Sequence, residues 1–241
     1  MAVTCVVTDH EAGLQVALSG SLTMSDVGSL RLRLFKCLAE QPHALFVELS
    51  ELTVAEPLAL TVLAAVSRQA ARWPGIPVLL CAPAALVGAM LARPAYRRLP
   101  VFPTIERAAA QVDDYRHSLP SISDQLLPIA GAVREARGLA TEACLRWELP
   151  GLVGPASLIV DEMVSNVADH ANTMATLRLT LRPNFLMMAV EDGSSEPPVP
   201  SDDPRAVRGR GLLLIQAMAH SWGWLPTEGG KVVWATLAVT A

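Results

Sequence analysis

The chain has 241 residues, of which 51% are hydrophobic and 17% charged, with a formal net charge of −4. That balance supplies enough apolar material for one large or two small cores, and it excludes a disordered or low-complexity chain. Residues 1–113 carry 9 basic and 9 acidic side chains and residues 114–241 carry 10 and 14, so neither part has the basic stripe of a nucleic-acid binder. No apolar run approaches the roughly 20 residues that span a bilayer. The opening "MAVTCVVTDHE" lacks a basic segment and soon meets Asp9 and Glu11, so it does not read as a signal peptide. Cys5, Cys37, Cys81 and Cys144 are scattered without zinc or redox spacing, which fits a reduced cytoplasm. Lys36 and Lys231 are the only lysines among 19 basic residues, which reads as a compositional habit.

Strands and helices alternate in the first part. "LQVALSGSL" sets Leu14, Val16 and Leu18 on one face, the period of a strand. Ser25 is placed to cap a helix through "DVGSLRLRLFKCLAE", where Leu30, Leu34, Phe35 and Leu38 recur at three and four. "ALFVEL" (44–49) and "IPVLLC" (76–81) read as buried strands. A helix from Pro57 to Arg72 separates them, and further helices open near Pro83 and cover "TIERAAAQV". This order predicts an α/β sheet with helices packed on it. The pattern lapses over "VDDYRHSLPSIS" (112–123), which places a domain boundary after residue 112.

The second part, 113–241, predicts an α+β sandwich. A long helix is expected over 122–147 and another from Pro155 to Ala171. Strands follow at "ATLRLTLR", where Leu177, Leu179 and Leu181 alternate, and at "FLMMAVED". The loop "GSSEPPVPSDDPRAVRGRG" leads to a helix over "LLLIQAMAHSW" and a final hairpin turning at Glu228-Gly229-Gly230.

The helix containing "LIVDEMVSNVADHA" carries Glu162, Asn166 and His170 at spacings of four, beside an apolar face of Leu158, Ile159, Met163 and Val167. The plain reading is an amphipathic helix with a solvated polar side. The functional one is a phosphate–metal site: Mg²⁺ takes few protein ligands and keeps phosphate oxygens, and a carboxylate one turn away can polarise a hydroxyl. Downstream, Asp192 and Gly193 end a strand, either as an ordinary turn or as an acceptor for an exocyclic amine beside a backbone that a flat ring can approach. Gly209 and Gly211 stand at a helix start, either as a flexible loop end or as an anion-binding N-terminus.

Together, "LIVDEMVSNVADHA", "VEDGSSEPPVP", "GRGLLLIQAMAHSWGW" and "GGKVVWATL" resemble the ATP-binding domain of bacterial anti-sigma-factor serine kinases, in the GHKL (HATPase_c) superfamily. The resemblance covers roughly 120–239. It implies that Glu162 is the catalytic base, Asn166 holds Mg²⁺, Asp192 binds the adenine amine with Gly193 beside it, and 194–210 form an ATP lid. Gly209 and Gly211 would meet the phosphates, assisted by Arg208 and Arg210, and His170 would pack or orient. Relatives often carry a Thr in the last hairpin near the adenine, where this chain has Val232. A lost hydroxyl there is worth about 1 kcal/mol of binding.

The first part, over about 1–112, resembles the STAS fold of anti-sigma-factor antagonists on "VALSGSLTMSDVGSLRLRL" and "LFVELSELTVAEPLALTVLAAV". Such antagonists present Asp-Ser-Ser-Gly where this chain has Glu56, Pro57, Leu58 and Ala59, none with a hydroxyl. Phosphoryl transfer needs an attacking oxygen, and Thr53 and Thr61 are out of register.

The resemblances imply a cytoplasmic partner-switching regulator that takes ATP and Mg²⁺. One reading is a protein serine kinase acting on a separate STAS antagonist. A second is a catalytically inactive binding module that sequesters an antagonist or a sigma factor. A third is an autoinhibited scaffold that docks through its own STAS domain. A homodimer also fits the resemblance. The five histidines make no ligand spacing, and there is no Gly-x4-Gly-Lys-Ser/Thr loop, dinucleotide fingerprint or Gly-x-Ser-x-Gly elbow.

Overall fold

The structure is a computed structural model describing residues 3–112, 119–129, 131–198 and 211–239. It divides into two compact units, Met1–His117 and Ser118–Ala241. No helix among the described residues is long and apolar enough to cross a membrane.

The first unit is α/β. Its sheet has the order β1-β2-β3-β4-β5, with β1 (Thr4–His10) antiparallel to β2 (Gly13–Leu22). Strands β2, β3 (Leu45–Val54), β4 (Val78–Cys81) and β5 (Val101–Phe102) run parallel. Parallel strands are covered on both faces by their crossover helices. Leu45, Phe46, Val47 and Leu49 are accordingly all buried. Helix α1 (Val27–Ala39) packs on α2 (Thr61–Arg72). Helix α3 (Ala85–Leu91) packs on β3, and α4 (Ile105–Val112) on β3, β4 and β5. Phe46, Leu79 and Cys81 form a cluster with Ala108 and Val112 of α4.

Two local details differ from expectation. The chain enters α1 through Thr23 rather than Ser25: the Thr23 N–H and hydroxyl both donate to Asp26 Oδ2, at 3.0 and 2.6 Å. That closes a short 3-10 turn over Met24–Asp26. The helix expected from Pro57 begins with a 3-10 turn over Pro57–Leu60 before α2. Leu58, the third of the four altered antagonist positions, is 70% exposed there.

The second unit is α+β. Its sheet runs β6-β7-β8-β10-β9, antiparallel throughout. The strands are β6 (Ser121–Leu126), β7 (Ala175–Arg182), β8 (Phe185–Asp192), β9 (Ser221–Pro226) and β10 (Lys231–Ala238). Helices α5 (Ala132–Arg146), α6 (Val153–Asn166) and α7 (Gly211–Met218) share one core with it. The helix expected over 122–147 is thus two elements. Ile122 and Leu126 are four apart and imitate a helix, but residues 121–126 pair with β7 as an edge strand, and Pro128 follows before α5 starts. The helix expected to run through Trp222 ends at Met218, because residues 221–226 join β10 instead.

Helices α5 and α6 lie close and antiparallel. Ala132, Ala136, Ala140 and Ala143 are buried at spacings of four, four and three, a seam of small residues facing Ala156, Ile159, Val160 and Met163. At the seam's edge Arg137 Nε lies 3.1 Å from Asp161 Oδ1, and the Thr141 and Ser157 hydroxyls are 3.4 Å apart. This packing fixes the rotation of α6, and with it the direction in which its polar residues point. Ala140→Leu should therefore overpack the seam and cost about 1–3 kcal/mol, read as a lower urea midpoint for the second unit.

Candidate functional site

The candidate site is built where α6 crosses the ends of β8 and β10. Past Asn166 the helix widens into a π-turn over Val167–Ala171, closed by the Asn172 N–H donating to Val167 O at 2.8 Å. Asn172 itself is left-handed at φ 50°, which stops the helix. Single π-turns inside helices often mark functional places because they re-aim side chains.

A cavity of about 220 Å³ opens against this segment. Met163, Val167, Val190, Leu212 and Val233 give it apolar walls. Asn166, His170, Asp192 and Lys231 bring polar atoms to it, together with Ser194, Glu196 and the prolines at 197 and 198. Asn166 and Asp192, from α6 and the end of β8, are therefore brought together. His170, exposed on the π-turn, also lines the cavity.

Glu162 is placed differently from its stripe neighbours. It is not among the lining residues; its carboxylate lies against the start of α7, and a Cβ on Gly211 would collide with Glu162 Oε2. A larger residue at 211 would require the Glu162 side chain to shift. Burial pushes the Glu162 carboxyl above the usual glutamate range, and the neighbouring Asp161 carboxylate adds to the rise. Arg208, Gly209 and Arg210 lie outside the described residues, as does most of the segment read as a lid.

Gly193 does not line the cavity either. Its N–H donates to Thr173 Oγ1 at 3.0 Å, and its backbone passes close to Gly230. A Cβ on Gly230 would strike Asp192 O and come within 2.7 Å of the Gly193 carbonyl carbon. The lack of a side chain at Gly230 therefore lets the β9–β10 turn fold over the end of β8.

The expectation attached to Val232 is corrected. Strand alternation puts Lys231 and Val233 into the cavity and turns Val232 to the opposite face of the sheet. Whether residue 232 carries a hydroxyl thus has no direct bearing on the cavity. The residue that matters is Lys231, which sequence reasoning passed over. It pairs in register with Asp192, and its Nζ donates to Asp192 Oδ1 at 2.9 Å and to Ser194 O at 3.3 Å. The Ser194 N–H donates to the same Oδ1 at 2.7 Å. Asp192 is 5% exposed and Lys231 8%. The signal was present: a rare lysine stands directly after Gly-Gly, on the strand face shared with Val233, Ala235 and Leu237.

Removing one partner of a buried ion pair leaves the other charge uncompensated. Lys231→Met should cost about 3–5 kcal/mol of stability. Adding Asp192→Asn should return most of that loss. A double-mutant cycle by urea denaturation checks both values, and full additivity of the two substitutions would contradict the pairing.

Comparison with known proteins agrees with this architecture in the second unit. Residues 128–237 match the family described as histidine kinase-like ATPase domain. Two solved structures align with the N-terminal part. One is an anti-sigma factor antagonist from Mycobacterium paratuberculosis, at 26% identity and TM-score 0.39, covering 46% of this chain and 95% of that one. The other is the anti-sigma factor antagonist SpoIIAA in its unphosphorylated form, at 14% identity and TM-score 0.39, covering 46% and 97%. No match was found among curated proteins. Over residues 128–237, then, the second unit is a histidine kinase-like ATPase domain, and it follows a five-stranded α/β unit.

Proposed function

We propose that the second unit binds ATP with Mg²⁺ and that the chain is a partner-switching regulator. In this reading it transfers the γ-phosphoryl group to a serine on a separate STAS-type antagonist. The observation that carries the reading is the meeting of Asn166 and Asp192 in one apolar-walled cavity, within a domain of the ATPase family. The walls from Met163, Val167, Val190, Leu212 and Val233 suit a flat aromatic base, and the Asp192 carboxylate can accept from an exocyclic amine.

The donor set fits the metal as well. The Asn166 side-chain oxygen is a hard ligand of the kind Mg²⁺ takes singly, leaving its other positions to water and phosphate. When bound, Mg²⁺ neutralises charge on the phosphate oxygens. Glu162, one turn before Asn166, accepts the proton of the attacking hydroxyl. Its burial raises its proton affinity, which brings it closer to the pH at which a general base works well. A position against the α7 N-terminus also favours the ionised carboxylate once the proton has left.

A specific observation favours a second reading for the first unit. Leu58 is exposed where an antagonist of the STAS type would present its acceptor hydroxyl. That unit then docks partners without being phosphorylated, and the chain sequesters an antagonist or a sigma factor.

Calorimetric titration of the full chain with ATP and Mg²⁺ tests nucleotide binding. Asn166→Ala and Asp192→Asn should each weaken it by about tenfold, the loss expected for one good hydrogen bond or ligand. Incubation with labelled ATP and STAS proteins then tests transfer. Glu162→Gln should keep ATP binding within about threefold of the unsubstituted chain and lower transfer by about 10²–10⁴-fold. Because the folded Glu162 holds its proton to higher pH than an ordinary glutamate, transfer should rise with pH above the usual carboxylate range and level off once Glu162 is ionised. Binding without transfer to any STAS protein would leave the sequestering module in place of the kinase.

A further inference from the structure

We infer that Lys231 is a base-reading residue, supplying a cationic N–H donor to the acceptor atom on a purine's ring edge. This rests on the nucleotide reading above and goes beyond it, since that reading uses Asp192 alone at the base.

The hydrogen-bond inventory carries the inference. A lysine ammonium has three N–H donors. Two of them are used, on Asp192 Oδ1 and on Ser194 O. Asp192 Oδ1 in turn takes both Lys231 and the Ser194 N–H. One ammonium donor and the second carboxylate oxygen, Oδ2, have no further partner among the described residues. Both side chains line the cavity. The polar end of the cavity therefore offers a donor beside an acceptor, held by a buried ion pair that fixes both groups.

A ligand edge complementary to that pair has an acceptor next to a donor. Adenine provides it with ring nitrogen N1 and the six-position amine: the amine donates to Asp192 Oδ2, and N1 accepts from Lys231. A donor held in a largely dry site discriminates strongly against a ligand that lacks the acceptor, because the donor is then left unpaired. Lys231 so becomes a specificity determinant rather than a passive counter-ion for Asp192.

The test needs no substitution at first. The full chain is titrated with Mg²⁺ and ATP, 1-deaza-ATP (in which a C–H replaces N1) and GTP. ATP should bind about tenfold or more tightly than 1-deaza-ATP, as expected for a hydrogen bond with a charged partner. The Lys231→Met/Asp192→Asn double variant, which keeps the site neutral, should bind ATP and 1-deaza-ATP within about threefold of each other. Equal affinity of the full chain for ATP and 1-deaza-ATP overturns the inference and leaves ATP binding standing. Tighter ATP binding by Lys231→Thr than by the full chain also overturns it, because the lysine is then an obstruction. GTP binding more tightly than ATP keeps Lys231 as the reader, on the six-position carbonyl, and overturns the adenine reading. If neither the full chain nor the variants bind any of the three nucleotides, both readings fall.

Discussion

The ion pair between Lys231 and Asp192 is the constraint on which the second unit's site depends. It joins the start of β10 to the end of β8, two strands that are hydrogen-bonded neighbours in register. The same register aligns Val233 with Val190, and so fixes two of the apolar walls. Taking two charges out of water is expensive, and the pair offsets that expense only while its geometry is kept. The Ser194 N–H and carbonyl add bonds to both partners, so the chain leaving β8 is tied to the same point. A shift of one residue between β8 and β10 would break the pair and turn the walls to the other face.

The helical side is fixed by a different means. The alanine seam lets α5 press against α6, and Arg137 meets Asp161 at its edge. Asp161 then stands next to Glu162 and places a negative charge beside that partly buried carboxyl. Packing, register and electrostatics are thus coupled along α6. Its apolar residues hold the core, Glu162 meets α7, and Asn166 begins the turn that faces the cavity.

Much of this was legible in the sequence. The alternation of Leu177, Leu179 and Leu181 gave β7, and the Gly229-Gly230 step gave the last turn, whose Thr227 N–H donates to Gly230 O at 3.0 Å. The helix carrying Asn166 followed from its period. Other elements were hidden because their structure comes from pairing rather than from their own pattern. Strands β1 and β6 are exposed edge strands: their alternation is weak, and Ile122 and Leu126 imitate a helix. Glu162 and Asn166 were read as one stripe because spacing gives the face of a helix, not what lies across from it. Only the approach of α7 separates the two. Lys231 was masked by its rarity, which invited a compositional explanation; its role depends on strand phase beyond Gly230.

The place of β10 in the sheet has a consequence for biosynthesis. It follows every other described strand in the chain, yet it lies between β8 and β9 rather than at an edge. A nascent chain that ends before residue 231 has β8 with one side unpaired, and Asp192 without its lysine. The first unit draws its whole sheet from residues 4–102 and can close much earlier. Domains generally fold as units, the N-terminal one first, as the ribosome releases them. During synthesis there is then an interval in which the α/β unit is complete while the ATPase domain exposes an open strand edge and an unfinished pocket. The first unit's sheet is complete before the second unit's cavity exists.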